Sequence, residues 1–252
     1  MRDDPLLSKR SEIPPVGSPI VDGLRATLPA VLLMAVLLLI PAAWLRGGAW
    51  FWPRGLTFVC VYGAIFLAGN LALACFRPAH LSVRRQGVVA RPERKQPRID
   101  AVGSAALSGF ALAWLVFVPV DVLYLRLLPT PAHVISWAGG LCVVIGAALT
   151  PMAVWENRFA APNVQDQTAQ GQRIIDTGVY NLIRHPIYAG NLLLFGGAAL
   201  WLGSYAAFTG LGVLLAATVG RILVEEAYLR ANVAGYLDYA ERVRSRLIPF
   251  IL

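Results

Sequence analysis

Long blocks of apolar residues constrain this chain more than any other feature. Four of them, about Leu28–Leu45, Gly55–Phe76, Ala101–Leu123 and Val134–Val154, are as long as a helix needs to be to cross hydrocarbon. Two shorter runs follow, Pro186–Trp201 and Ala206–Leu223, on either side of Gly203-Ser204-Tyr205. In lipid, every backbone N–H and C=O must be paired within the protein, so such blocks become helices or a closed barrel. No segment alternates apolar and polar residues as a barrel strand does. The expectation is an all-α, polytopic membrane protein with about five to six crossings. Its last two runs form a helical hairpin that need not span fully.

Charge refines this picture. Only 14% of residues are charged, against 57% hydrophobic, well below the share of charge in a soluble domain. The formal net charge of +8 falls in loops, where it orients the chain and meets anionic membrane lipids. No basic face interleaved with aromatic residues is present, which excludes nucleic acid as a partner. The Arg77–Asp100 loop carries Arg77, Arg84, Arg85, Arg91, Arg94, Lys95 and Arg98, and the positive-inside rule places it in the cytoplasm. Counting crossings from there puts both termini and the Trp155–Arg184 segment on the same side.

Residues 1–25, with Asp3, Asp4, Glu12 and Asp22, make a poor signal peptide and read as a flexible segment. Residues 26–154 then hold the first four spans, and residues 155–252 hold the chemistry. Trp44, Trp50 and Trp52 form an interfacial cluster at the first turn. Cys60, Cys75 and Cys142 lie in or beside apolar runs without metal or disulfide spacing, so no metal is expected. Lys9 and Lys95 are the only lysines in a chain rich in Arg, Ala and Leu. This bias points to a GC-rich bacterial genome and hence to a bacterial inner membrane. No internal repeat supports a pseudo-symmetric transporter.

Two polar clusters stand at apolar boundaries. The first is Arg184-His185-Pro186-Ile187-Tyr188-Ala189-Gly190, where Pro186 suits the first position of a helix. The second is Arg221 with Glu225 four residues later on the same helical face, followed by Glu226 about a quarter turn away. Ionisable groups beside hydrocarbon are expensive and usually functional, although a simple pair snorkelling to the interface is the plainer reading.

These clusters, with Gly178-Val-Tyr180 before them and Gly235-Tyr-x-x-Tyr239-x-x-Arg242-Val-Arg-x-Arg246-Leu-Ile-Pro249 after them, resemble the isoprenylcysteine carboxyl methyltransferase family. That family in turn resembles the phospholipid N-methyltransferases. The resemblance is close over residues 155–252; earlier in the chain only the hydropathy agrees. It implies S-adenosylmethionine as methyl donor, S-adenosylhomocysteine as product, and a cytoplasmic cofactor site without a Rossmann domain. By the same resemblance, Tyr180, Ile183, His185, Tyr188, Gly190 and Glu226 are cofactor-binding positions, and Arg221 and Glu225 are catalytic.

The side chains suit those roles. Glu226 can pair with the donor's ammonium, and His185 at a helix N-terminus can hold its carboxylate. Gly190 allows close backbone approach of a ligand. Arg221 can align a carboxylate acceptor bidentately, while Glu225 can deprotonate a thiol, hydroxyl or amine. Asn157 and Arg158 either line the substrate side or lie in a solvated loop. Tyr236 and Tyr239 read as packing of the last helix, and Arg242, Arg244 and Arg246 as structural or lipid-facing. The expected partner is a lipophilic small molecule or a lipid-modified substrate. Two rivals stay open: a membrane reductase using NADPH, as in the sterol reductases, and a non-enzymatic scaffold.

Overall fold

The computed structural model describes residues 18–48, 51–82, 98–160 and 171–249. The expected flexible segment up to residue 17 and most of the basic loop (83–97) lie outside the described residues. Eight α-helices are used below: α1 Pro19–Leu45, α2 Pro53–Phe76, α3 Arg98–Val120, α4 His133–Glu156, α5 Pro186–Leu202, α6 Tyr205–Thr209, α7 Leu211–Asn232 and α8 Tyr236–Arg242. A π turn, Asp121–Leu125, extends α3, and a short 3-10 turn, Gly178–Asn181, precedes α5.

Five helical stretches are long and apolar enough to cross a membrane: Pro19–Leu45, Pro53–Phe76, Gly103–Leu125, His133–Glu156 and Tyr205–Asn232. The chain is thus an all-α polytopic membrane protein. The remaining apolar helix, α5, has 17 residues. It spans about 26 Å at 1.5 Å per residue, short of the roughly 30 Å hydrocarbon thickness.

Helix ends differ from the hydropathy boundaries where local chemistry decides. α1 starts at Pro19, nine residues before the apolar run, because Pro fits the first turn and Asp22 meets the positive end of the helix. α7 continues to Asn232, past the expected end at Leu223, because nothing between Val224 and Asn232 breaks a helix. The chain turns only afterwards, at Gly235 with φ of 80°. Arg221, Glu225 and Glu226 therefore project from one unbroken helix. α5 stops at Gly203, whose φ of 103° favours glycine. Ser204 then caps α6, accepting from Ala207 N at 2.8 Å and donating to the buried Asp121 carboxylate at 2.5 Å.

The tightest seam joins α4 and α5 antiparallel through two glycine pairs. A Cβ on Gly139 would sit 2.7 Å from Gly197 O, and one on Gly146 would sit 2.5 Å from Gly190 O. Without a hydrophobic force between helices in lipid, such small residues let backbones approach. Gly197→Val is expected to force α4 and α5 apart at a cost of about 1–3 kcal/mol or more, because backbone rather than a flexible side chain blocks the new methyls. A fall in the detergent melting temperature measures it; an unchanged melt would contradict this seam.

The largest apolar cluster joins Met34, Leu38, Phe58, Trp114, Val118 and Leu202, at the end of the bundle where the hairpin turns. The opposite end, where α4 finishes, α5 starts and α7 finishes, holds the polar clusters.

Candidate active site

Chain reversal brings the polar residues together. The tail folds back after α8 and pairs with the segment before α5: Arg184 N donates to Ser245 O and His185 N to Arg246 O, both at 3.0 Å. Tyr239 OH donates to Tyr180 O at 2.8 Å, and Arg242 Nη2 reaches Asp176 Oδ2 at 2.6 Å. Burial holds the Tyr239 phenol above its usual range, so it stays a neutral donor. The Arg242 guanidinium holds the Asp176 carboxyl below its usual range.

Glu226 is the hub of this end. Its side chain is 2% exposed and its two oxygens meet five nitrogens. Arg184 Nη2 lies at 2.9 Å, His185 Nε2 at 3.3 Å, Arg230 Nη2 at 3.1 Å, and Arg246 Nε and Nη2 at 3.1 and 3.2 Å. A carboxylate has about four lone-pair sites, so Glu226 is filled by the protein itself. A ligand ammonium at Glu226, as expected from the sequence, competes with these protein donors.

His185 stands between two acids. Its Nε2 meets Glu226, and its Nδ1 lies 4.0 Å from Glu225 Oε2. Carboxylates thus flank the ring on both sides. Glu225 is the more open acid, with its side chain 31% exposed, and accepts from Tyr188 OH at 2.9 Å. The Arg221 guanidinium lies 5.9 Å from the Tyr188 ring centroid, and its Nη1 donates to Ser104 Oγ on α3 at 2.8 Å. His185, Tyr188, Arg221, Glu225 and Glu226 thus form one connected set.

Other expected positions play supporting parts. Ile183 is buried with Ala189, Ile222 and Leu247 beneath this set. The Tyr180 carbonyl anchors Tyr239. Gly190 faces α4, where it permits the close approach of the Gly146 backbone. Asn157 closes its own turn, its Oδ1 accepting from Phe159 N at 2.9 Å, while the Arg158 guanidinium lies 4.6 Å from the Phe159 ring centroid.

A cleft of about 340 Å³ opens beside Arg221 between α3 and α7. Gly103, Ala106 and Phe110 line one side, and Ala217, Gly220 and Val224 the other. The small residues leave the gap between the helices unfilled: a Cβ at Gly103 or Gly220 would meet nothing within 4 Å. The cleft is apolar except where Arg221 reaches it.

Residues not assigned from sequence are Arg184 and Arg230, both on Glu226, and Ser104, which holds Arg221. Arg246 was expected to be structural or lipid-facing, and it is the bidentate partner of Glu226. For the arginines the only signal is the abundance of Arg near motif positions, with Glu226 lying 4 to 42 positions away; Ser104 and Arg221 are 117 positions apart.

Among curated protein sequences there is no match to this chain. One solved structure to which it is similar is that of the eukaryotic intramembrane Ras methyltransferase ICMT (isoprenylcysteine carboxyl methyltransferase), at 19% identity over 92% of this chain and 98% of that one, with a TM-score of 0.46. Residues 134–233, from α4 to just beyond α7, match the family model for phospholipid methyltransferase, a match that covers about two fifths of this polytopic membrane protein.

Proposed function

We propose that the chain transfers a methyl group from S-adenosylmethionine to a lipophilic, membrane-borne carboxylate. The observation that carries this reading is the placement of Arg221, Tyr188 and Glu225 at the point where an apolar intramembrane cleft meets the charged cluster around Glu226. A water-soluble donor and a lipid-soluble acceptor can meet there.

The residues suit such a donor, which carries two cationic centres and one carboxylate. Glu225 has unfilled acceptor sites for a cation, and Tyr188 holds it in place. The donor, when bound, supplies an electrophilic methyl on sulfur. Arg221, freed from Ser104, aligns the acceptor carboxylate through two parallel N–H bonds. A carboxylate is already ionised at neutral pH and needs no base, so the acceleration comes from holding its oxygen in line with the methyl. Glu226 touches neither partner; it fixes the arginines and His185 around them. The polar end faces the cytoplasm, with both termini on that side of a bacterial inner membrane.

The phospholipid methyltransferase match over residues 134–233 favours a second acceptor, the amine of a lipid headgroup. Glu225 would then remove the amine proton.

Thermal stabilisation distinguishes the enzyme classes. S-adenosylhomocysteine is expected to raise the melting temperature of the purified protein by an amount set by its saturation, and NADPH to leave it unchanged. The reverse pattern would make the chain a reductase, and no shift with either would leave a scaffold. A leucine at Gly220 fills the cleft without displacing the charged cluster, so Gly220→Leu is expected to raise KM for the acceptor and leave donor binding unchanged.

A further inference from the structure

Beside Glu226, on the tail, lies a second cavity of about 380 Å³. Arg184, Arg230, Arg244 and Arg246 line it together with Leu237, Ala240 and Glu241; Tyr188, Arg221 and Glu225 do not. It is therefore separate from the set proposed for methyl transfer. We propose that this four-arginine pocket binds a phosphate-bearing anion, presented at the membrane surface as the headgroup of an anionic lipid.

Charge is the first argument. Four guanidiniums meet Glu241 in the wall and Glu226 behind it, which leaves two positive charges uncompensated. Surplus like charge beside hydrocarbon is unfavourable, and a phosphate carrying one or two negative charges removes it. Donor geometry is the second. Arg184 is buried, its Nη1 on Ala240 O and Val243 O and its Nη2 on Glu226, yet its Nε has no hydrogen-bond partner. Arg244 is exposed and makes no ion pair among the described residues. Guanidiniums with N–H groups to spare are the groups that bind phosphate oxygens in pairs.

Position favours a lipid as the source. The pocket lies just beyond the polar end of α7, and its wall includes Leu237, which is 60% exposed; Ile248 nearby in sequence is 50% exposed. Exposed apolar side chains alternating with arginines are the pattern of a segment lying in the headgroup layer. Arg184, Arg230 and Arg246 also hold Glu226, so an anion in the pocket would tighten the tail over the site. The proposal does not depend on methyl transfer.

The test compares the full-length protein in nanodiscs of phosphatidylcholine alone and of phosphatidylcholine mixed with phosphatidylglycerol, reading hydrogen exchange of the tail amides, residues 236–249. Slower exchange with phosphatidylglycerol is expected. Arg244→Gln should weaken the apparent lipid affinity by about five-fold, the effect of one basic side chain at an anionic surface. Arg244→Glu should abolish the protection while leaving the melting temperature in phosphatidylcholine unchanged, since Arg244 is exposed and makes no ion pair among the described residues. Inorganic phosphate protecting the tail equally well in neutral nanodiscs would support the anion site and assign it a soluble source. Identical exchange in both nanodiscs, protection that survives Arg244→Glu, or its displacement by S-adenosylhomocysteine would overturn the proposal.

Discussion

Glu226→Gln is expected to unfold the donor end of the molecule and abolish S-adenosylmethionine binding together. The glutamine keeps the volume but withdraws the negative charge on which Arg184, Arg230 and Arg246 converge. It also turns amide hydrogens towards guanidinium hydrogens. Removing one partner of a buried ion pair leaves charge uncompensated, which costs about 3–5 kcal/mol. For a chain of this size that lowers the melting temperature by roughly 10 °C. Glu225→Gln supplies the contrast. Glu225 is partly exposed and has Tyr188 as its hydrogen-bonding partner, so its loss should weaken donor binding with little change in melting. Parallel melts and donor titrations of the two variants check this. Equal melting of Glu226→Gln and the native protein would remove Glu226 from the centre of the site.

Arg221→Ala is expected to reduce turnover by about a hundred-fold or more while largely sparing donor affinity, because a mispositioned acceptor loses the advantage of in-line approach. Arg221 reaches the apolar cleft and Ser104 rather than the Glu226 hub, which is why the two functions should separate. Arg221→Lys keeps the charge but cannot make the paired N–H contacts, so it should recover little. Steady-state kinetics with a donor-binding titration measures both quantities. Equal loss of turnover and donor affinity would move Arg221 into the donor pocket.

The spans were legible because the thickness of a bilayer is imposed from outside, and a run of apolar residues such as His133–Glu156 answers to it directly. Helix ends were less legible. α7 outlasts its apolar run by nine residues because helix propensity, not hydropathy, governs Val224–Asn232. The motif residues of the site were visible as an ordered series of Arg, His, Tyr and Glu, and the fold gathers His185, Tyr188, Arg221, Glu225 and Glu226 into one set. Their relations to one another were not visible. Whether Glu226 faces a ligand or three arginines depends on the tail returning to pair Ser245 with Arg184, a contact 61 positions apart in the chain. The contact of Gly190 with Gly146 is hidden for the same reason: the two are brought together only by the antiparallel packing of α4 on α5.

Methyl transfer from a soluble donor to a membrane-borne acceptor at Arg221, Tyr188 and Glu225 is the activity proposed for this chain. The most direct measurement supplies S-adenosylmethionine with an isotopically labelled methyl to membranes containing the protein, then separates organic-soluble from aqueous products. Label is expected in the organic phase, hydrolysable by base as an ester is, with the native protein and not with Arg221→Ala. Label absent from the organic phase with the native protein, or equally present with Arg221→Ala, would contradict the account.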